Sequence, residues 1–384
     1  MPEQHSNEWQ LLLACSAIPT PQNQERMRAL TRAAIDWPVL FALAEQHGVS
    51  SLLYQSLATV KGTITTETLR PLVQRYQTNL HKSLLVAKEL IRILDTLSAL
   101  GLEALPYKGA ALAEAIYGDL ALRQPGDIDL LVRPQDFPRI KDAVRDLGYF
   151  PHAPLTPPQE RAYLRTGYEC PFDSAAGRNL LEIQWALQPR FYSVNADMNG
   201  IFQRAVAINV AGRATRTLSL EDMLIVLSVH AAKHAWERLI WLCDIERVAA
   251  HENLNWEWVT AQARQVGVVR ILAITFLLAN QLLETPVPDA FRIACSDRET
   301  GRLADQIRTQ ITTNSAAETE SLAYFRLMLR IRERTSDRAR FLTRLALTPG
   351  PGEWNAIALP APLFPLYRIV RLSRLAIRSL RLIA

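Results

Sequence analysis

The apolar periodicity of this 384-residue chain switches twice, near residue 102 and near 218, and that double switch constrains the fold more than any other feature. Before Gly101, the segments LLLACSAI, RMRALTRAAIDWPVLFALAEQHGV and SLLVAKELIRILDTLSALG place apolar side chains three or four apart, as helices with one buried face do. Pro38 and Gly48 punctuate this part, and Gly101 is positioned as a C-cap. From 102 the units shorten. LEALPY reads as a buried strand, KGAALAEAIYG as a helix ended by Gly118, LALRQPG as a loop, and DIDLLV as a strand. In that last strand Ile128, Leu130 and Val132 alternate with Asp127, Asp129 and Leu131. PQDFPRIKDAVRDLGY reads as a helix and APLTPPQE as a Pro-rich loop. GYECPFDS and NLLEIQWAL read as two strands around a turn at AAGRN, with Leu181, Ile183 and Trp185 on one face and Glu182 and Gln184 on the other.

From Ser219 the chain turns helical again, with Asp222 placed three residues on for a capping box. The expected class is α+β: a helical region at 1–101, a mixed-sheet α/β unit at 102–217, a helical bundle at 218–347, and a Pro/Gly break with a basic tail at 348–384. Four widely spaced cysteines with no CxxC argue against a disulfide scaffold or a zinc ribbon and fit a reduced, cytoplasmic protein. The N-terminal MPEQHSNEWQ lacks the basic region of a signal peptide, and no uninterrupted apolar run approaches the roughly 18 residues of a spanning helix.

The chemistry is concentrated in the α/β unit. Asp127 and Asp129 stand two apart on a strand, so both project from one face, about 7 Å apart at Cα. Paired carboxylates repel and resist burial, and a divalent cation resolves both costs. Two Mg²⁺ ions, or Mn²⁺ in their place, are the recurring device for phosphoryl and nucleotidyl transfer, and hard oxygen ligands suit them. Glu182, mid-strand opposite an apolar face, is the expected third acid. The bland reading of the aspartates is a solvated pair at a strand end. Lys108-Gly109 sits at a strand-to-helix junction, where free N–H groups and a lysine would receive phosphate, or where a plain turn exposes a lysine. Arg123 reads either as a bidentate triphosphate clamp or as a loop cap.

The run KGAAL…Y…LRQPGDIDLLV, then LEIQW, then HAAKHAW…LIWLCDI, resembles an uncharacterised bacterial nucleotidyltransferase family of the DNA polymerase β-like superfamily. The resemblance extends over most of the chain, including TPGPGEW…LP…LYRIVR. It implies a polymerase β-like core with a small mixed sheet, flanked by helical domains. The implied activity is Mg²⁺-dependent transfer of a nucleoside monophosphate from an NTP to a hydroxyl acceptor, with release of pyrophosphate. Asp127, Asp129 and Glu182 match its carboxylates as catalytic and metal-binding residues. Lys108-Gly109 stands where the wider superfamily has Gly-Ser, and Gln184-Trp185 where the family has His-Trp. The resemblance implies Lys233, His234 and Arg238 as nucleotide contacts, beside the Lys108, Gly109 and Arg123 read from the residues themselves. The acceptor is open: small molecule, protein or RNA. So are a catalytically degenerate binding protein and a toxin-like enzyme acting on tRNA or protein.

Three further patterns admit two readings each. His230 and His234, four apart on a helix, have metal-ligand spacing but lack the glutamate of HExxH, and read more simply as a pair at the site edge bonded to acids such as Asp244. Trp236, Trp241, Trp256 and Trp258 suit bundle core better than base stacking. Arg368, Arg371, Arg374, Arg378 and Arg381 recur every three or four residues among Leu, Ile and Val. Such a helix contacts anionic membrane, contacts nucleic acid, or packs on the protein with a solvated face.

Overall fold

A computed structural model of the chain describes residues 6–60, 64–124, 126–175, 177–192, 194, 196–313 and 321–381. Five helices open it: α1 (Asn7–Ser16), α2 (Pro21–Thr31), α3 (Trp37–Gln46), α4 (Ser50–Thr59) and α5 (Thr66–Ala99). Ser6, Thr20, Asp36 and Thr65 cap four of them by accepting an N–H from the first turn. Helix α5 stops at Gly101, whose φ of 67° lets Leu102 N–H reach the Leu97 carbonyl at 2.9 Å.

The α/β unit follows: β1 (Ala104–Pro106), α6 (Gly109–Leu112), β2 (Ile128–Val132), α7 (Phe137–Asp146), β3 (Tyr149–Pro151), α8 (Pro157–Thr166), β4 (Glu169–Ser174) and β5 (Gly177–Gln184). The strands form one mixed sheet in the order β1-β2-β5-β4-β3. Only β2 and β5 run parallel among these pairs, and their register sets Asp129 beside Glu182. Helix α8 corrects the expectation of a loop through APLTPPQE. Thr156 and Gln159 close a capping box, and Pro157 and Pro158 occupy the first turn, where a missing N–H costs nothing. The helix expected over KGAALAEAIYG is a single α-turn that widens into a π-turn over Ala113–Tyr117 before Gly118, at φ 65°.

Next come α9 (Met198–Arg204) and a hairpin that the sequence reading did not foresee, β6 (Val206–Val210) with β7 (Arg213–Thr217). Ala211 and Gly212 both take positive φ in its turn, as a two-residue hairpin requires. The remaining helices are α10 (Leu220–Lys233), α11 (Leu239–Ala249), α12 (Trp256–Val266), α13 (Val269–Leu283), α14 (Arg292–Cys295), α15 (Arg298–Thr313), α16 (Leu322–Arg330), α17 (Thr335–Leu347), α18 (Pro351–Ala356) and α19 (Tyr367–Arg381). Among the described residues no helix is long and apolar enough to cross a membrane.

Two cores hold the molecule together. In the larger, Leu11, Leu12, Leu40 and Leu53 of the early helices pack with Leu224, Trp236, Leu242 and Leu272 of the late ones, so the two helical regions bury their faces in one body. In the smaller, Leu90, Ile93 and Leu97 of α5 pack with Leu130, Val132, Ile140 and Ile183. Strand β2 lies between them. Its Leu130 belongs to the smaller core and its Leu131 to the larger, which explains why the strand is buried on both faces. Asp129 shares the Leu131 face, so the acid side of the sheet is turned towards the helical body.

Candidate active site

Where that acid face meets the helical body, a cavity of about 600 Å³ opens. Asp127, Asp129 and Glu182 line its sheet side, with Lys108, Gly109 and Gln184 beside them. Lys233, His230, His234 and Trp241 line its helical side. Arg123 also borders it. Every residue expected at the site therefore borders one cavity.

The acids are held by a tight polar net. Asp129 is 8 % exposed and its Oδ1 receives Lys108 Nζ at 3.0 Å and Gln184 Nε2 at 3.2 Å. Among the described residues no hydrogen bond reaches its Oδ2. Gln184 also donates to Glu182 Oε2 at 3.1 Å, while its own carbonyl accepts Tyr107 O–H at 2.6 Å. Gln184 thus ties two carboxylates together, a role that its position two residues after Glu182, on the same strand face, makes possible. Gly109, at φ 53°, approaches so closely that a Cβ there would lie 3.3 Å from the Asp127 carbonyl oxygen. The glycine of the Lys-Gly pair serves close backbone packing beneath the acids.

The electrostatics follow from crowding. Burial, with help from Asp129, holds Asp127 above its ordinary value. Burial, then Asp129 and Glu169, bring Glu182 up to about 7. Burial pulls Lys108 down, but the charge of Asp129 outweighs it and leaves the ammonium firmly protonated. Lys233 is lowered by burial against the opposing pull of Glu169, and its Nζ lies 2.5 Å from Tyr168 O–H and over that ring. Burial lowers His230 well below its usual value, Lys108 adding to it, and takes His234 to about 3, so both imidazoles are neutral at pH 7.

The histidine pair does not reach Asp244, contrary to the simpler sequence reading. The two rings pack on each other at 4.8 Å and on Trp241 at 5.3 Å each. Asp244, fully buried, instead accepts Tyr117 O–H at 2.7 Å and pairs with Arg123 Nε at 3.1 Å. Arg123 is thereby both a cavity residue and a bridge from the α/β unit to α11. Of the four tryptophans, Trp236 is core, donating to Thr275 at 2.9 Å, and Trp241 alone borders the cavity. Sequence reasoning missed Tyr107, Tyr168 and Glu169; their positions flanking β1 and opening β4 were visible, but nothing in their spacing marks a site.

The sequence matches a family described as an uncharacterised nucleotidyltransferase over residues 33–284. The chain belongs to that family. The matched span begins in the early helices and ends with α13, so the nucleotidyltransferase match takes in both walls of the cavity and leaves α14–α19 outside. No curated protein and no solved structure matches.

The donor set suits Mg²⁺ in type. Three buried or half-buried carboxylates, two of them raised by burial and by the charge of Asp129, are the hard oxygen groups such an ion takes. Among the described residues no three His, Cys, Asp or Glu side chains yet converge on one point, and Lys108 supplies the neutralising charge at Asp129. The residues fit the ion in type; closing round it requires Asp129 to share or exchange its lysine partner.

Proposed function

We propose that this nucleotidyltransferase moves a nucleoside monophosphate from an NTP to a hydroxyl-bearing acceptor in this cavity, with Mg²⁺ and with release of pyrophosphate. The observation that carries the reading is the parallel register of Asp129 with Glu182 on the cavity wall, facing lysines 108 and 233. Bound Mg²⁺ supplies charge neutralisation for the triphosphate and acidifies the acceptor hydroxyl. The chain's own groups do the rest. Asp127, Asp129 and Glu182 would hold the ion. Lys108 and Lys233 neutralise phosphate oxygens, and Gly109 borders the space the phosphates take. The acceptor oxygen forms its bond to the α-phosphorus as the bond to the bridging oxygen breaks in line, and pyrophosphate leaves with that electron pair. Glu182 takes the acceptor proton. His234 and Trp241, neutral and partly open to the cavity, border the space left for the nucleoside.

The test is transfer of label from each α-labelled NTP into lysate components, with Mg²⁺ or Mn²⁺. The wild-type chain should label a product and Asp129→Asn should not; equal labelling by both would remove the assignment. A second reading, a catalytically silent nucleotide-binding protein, draws on the Lys108–Asp129 pair, which occupies a metal ligand. Calorimetry separates the two: nucleotide binding that is indifferent to divalent ions, with no transfer in any lysate, favours the silent protein. The acceptor, whether small molecule, RNA or protein, and any toxin-like role are read from the labelled product.

A further inference from the structure

Helix α19 is amphipathic, yet it is docked with its polar side inward. Arg371 Nε donates to the Leu345 carbonyl at 2.6 Å, and its Nη1 lies 3.2 Å from Glu353 Oε2. Arg374 Nη1 lies 3.6 Å from Glu353 Oε1. Glu353 is buried, and so is Tyr367, whose hydroxyl lies 2.9 Å from both Leu359 N and the Ile357 carbonyl. Arg371 and Arg374 therefore clamp one side of the helix to α17 and α18. Its other side, with the turn that leads into it, presents Leu363, Leu366, Ile369, Leu372 and Ile377, each between 43 % and 61 % exposed. A helix of a soluble protein normally buries such a stripe and shows its arginines. Here a buried carboxylate fixes the opposite arrangement, leaving an apolar face exposed among the described residues.

The charge map says what that face meets. Residues 321–384 carry twelve arginines against three acids, a balance of +9. The whole chain is only +5, from 43 basic and 38 acidic residues, which leaves residues 1–320 at 31 against 35, or −4. The positive charge is thus confined to the end that bears the apolar stripe. On α17, which packs on α19, burial and then the neighbouring Arg190 and Arg340 hold Arg344 below its usual value. A second copy would set one +9 end against another. With five arginines in its 15 described residues, α19 is not apolar enough to cross a bilayer and suits lying along one.

We propose that α19 and its lead-in turn form an interfacial helix that seats the protein on an anionic lipid surface. Leu363, Leu366, Ile369, Leu372 and Ile377 enter the acyl boundary, while Arg368, exposed beside Ile369, and the net positive charge of this end of the chain draw it to anionic headgroups. This does not depend on the nucleotidyltransferase reading.

The test is flotation of the full chain with phosphatidylcholine vesicles, with and without a third of phosphatidylglycerol. Binding should require phosphatidylglycerol, weaken with salt, and fall at least tenfold in Ile369→Glu. Leu85→Glu, at a leucine 67 % exposed on α5, controls for surface charge and should bind as wild type. Each variant is checked by its melting temperature, and Leu372→Ser serves if Ile369→Glu is not folded. Absence of flotation, equal loss in Leu85→Glu, or a concentration-dependent dimer abolished by Ile369→Glu in place of vesicle binding would each overturn the proposal. So would retention on RNA with no retention on vesicles.

Discussion

Lys108 Nζ lies 3.0 Å from Asp129 Oδ1, so the cation that balances the central carboxylate is part of the chain itself. Both side chains are about nine-tenths buried, and a buried charge deprived of its partner is costly. The lysine both protects the acid and competes for it.

Lys108→Met should therefore separate metal binding from nucleotide binding. With the ammonium gone, calorimetry should show tighter Mg²⁺ binding, by about tenfold, the lower end of what partners of ligands contribute. NTP affinity should fall in the same variant, because one phosphate-facing charge is lost. Unchanged Mg²⁺ affinity would mean that the ion never meets Asp129.

Glu182→Gln should stabilise the metal-free protein at alkaline pH while abolishing transfer. The folded-state value of about 7 lies above the 4.5 of a free glutamate, so between these the folded chain keeps a proton that the unfolded chain has lost. Stability from this group is complete below 4.5 and is lost as pH rises through 7. In chelator, the variant should melt higher than wild type at pH 8 and at the same temperature near pH 4.5. Comparing the two proteins at each pH cancels His230 and His234, whose lowered values act in the opposite sense below 6.5. A gap of the same size at both pH values would contradict the burial of Glu182.

Gly109→Ala forces a Cβ to 3.3 Å from the Asp127 carbonyl at a φ of 53°. The strain should cost about 1–2 kcal/mol of stability. Transfer should fall more than that cost accounts for, because the backbone that yields carries an acid of the site. Urea titration and initial rates on the same preparation read both quantities.

Asp244→Ala removes the fully buried partner of Arg123 and Tyr117 and should cost about 3–5 kcal/mol in urea unfolding. Asp244→Asn, which keeps the hydrogen-bonding shape, should cost less. Equal losses in the two would show that the charge of Asp244 alone, and not its hydrogen-bonding shape, holds Arg123.

The alternation in NLLEIQWAL and DIDLLV was enough to locate the sheet and its acid face, because a two-residue period leaves few ways to bury Leu181 and Ile183. The same alternation put Gln184 beside Glu182 without revealing that it bridges to Asp129, since that contact depends on the parallel pairing of strands far apart in sequence. Helix α8 was hidden by its two prolines, which signal a loop unless the Thr156–Gln159 box is noticed. The union of the early and late helices in one core was not legible either, because helical periodicity says which face is buried and not against what. For the same reason the arginine spacing of α19 identified its two sides but not which one the body would claim.

The parallel pairing of β2 with β5 also bears on how the molecule forms. Asp129 and Glu182 are 53 residues apart, and parallel neighbours need a long crossover, here carrying α7, β3, α8 and β4. Contacts of that range form slowly, since loop closure precedes any gain. The repulsion between Asp129 and Glu182 is accordingly absent from early, local stages of folding and is met only when β5 pairs with β2. A chain assembling its hairpins and helices thus escapes that part of the electrostatic burden of its own site until the parallel pair forms.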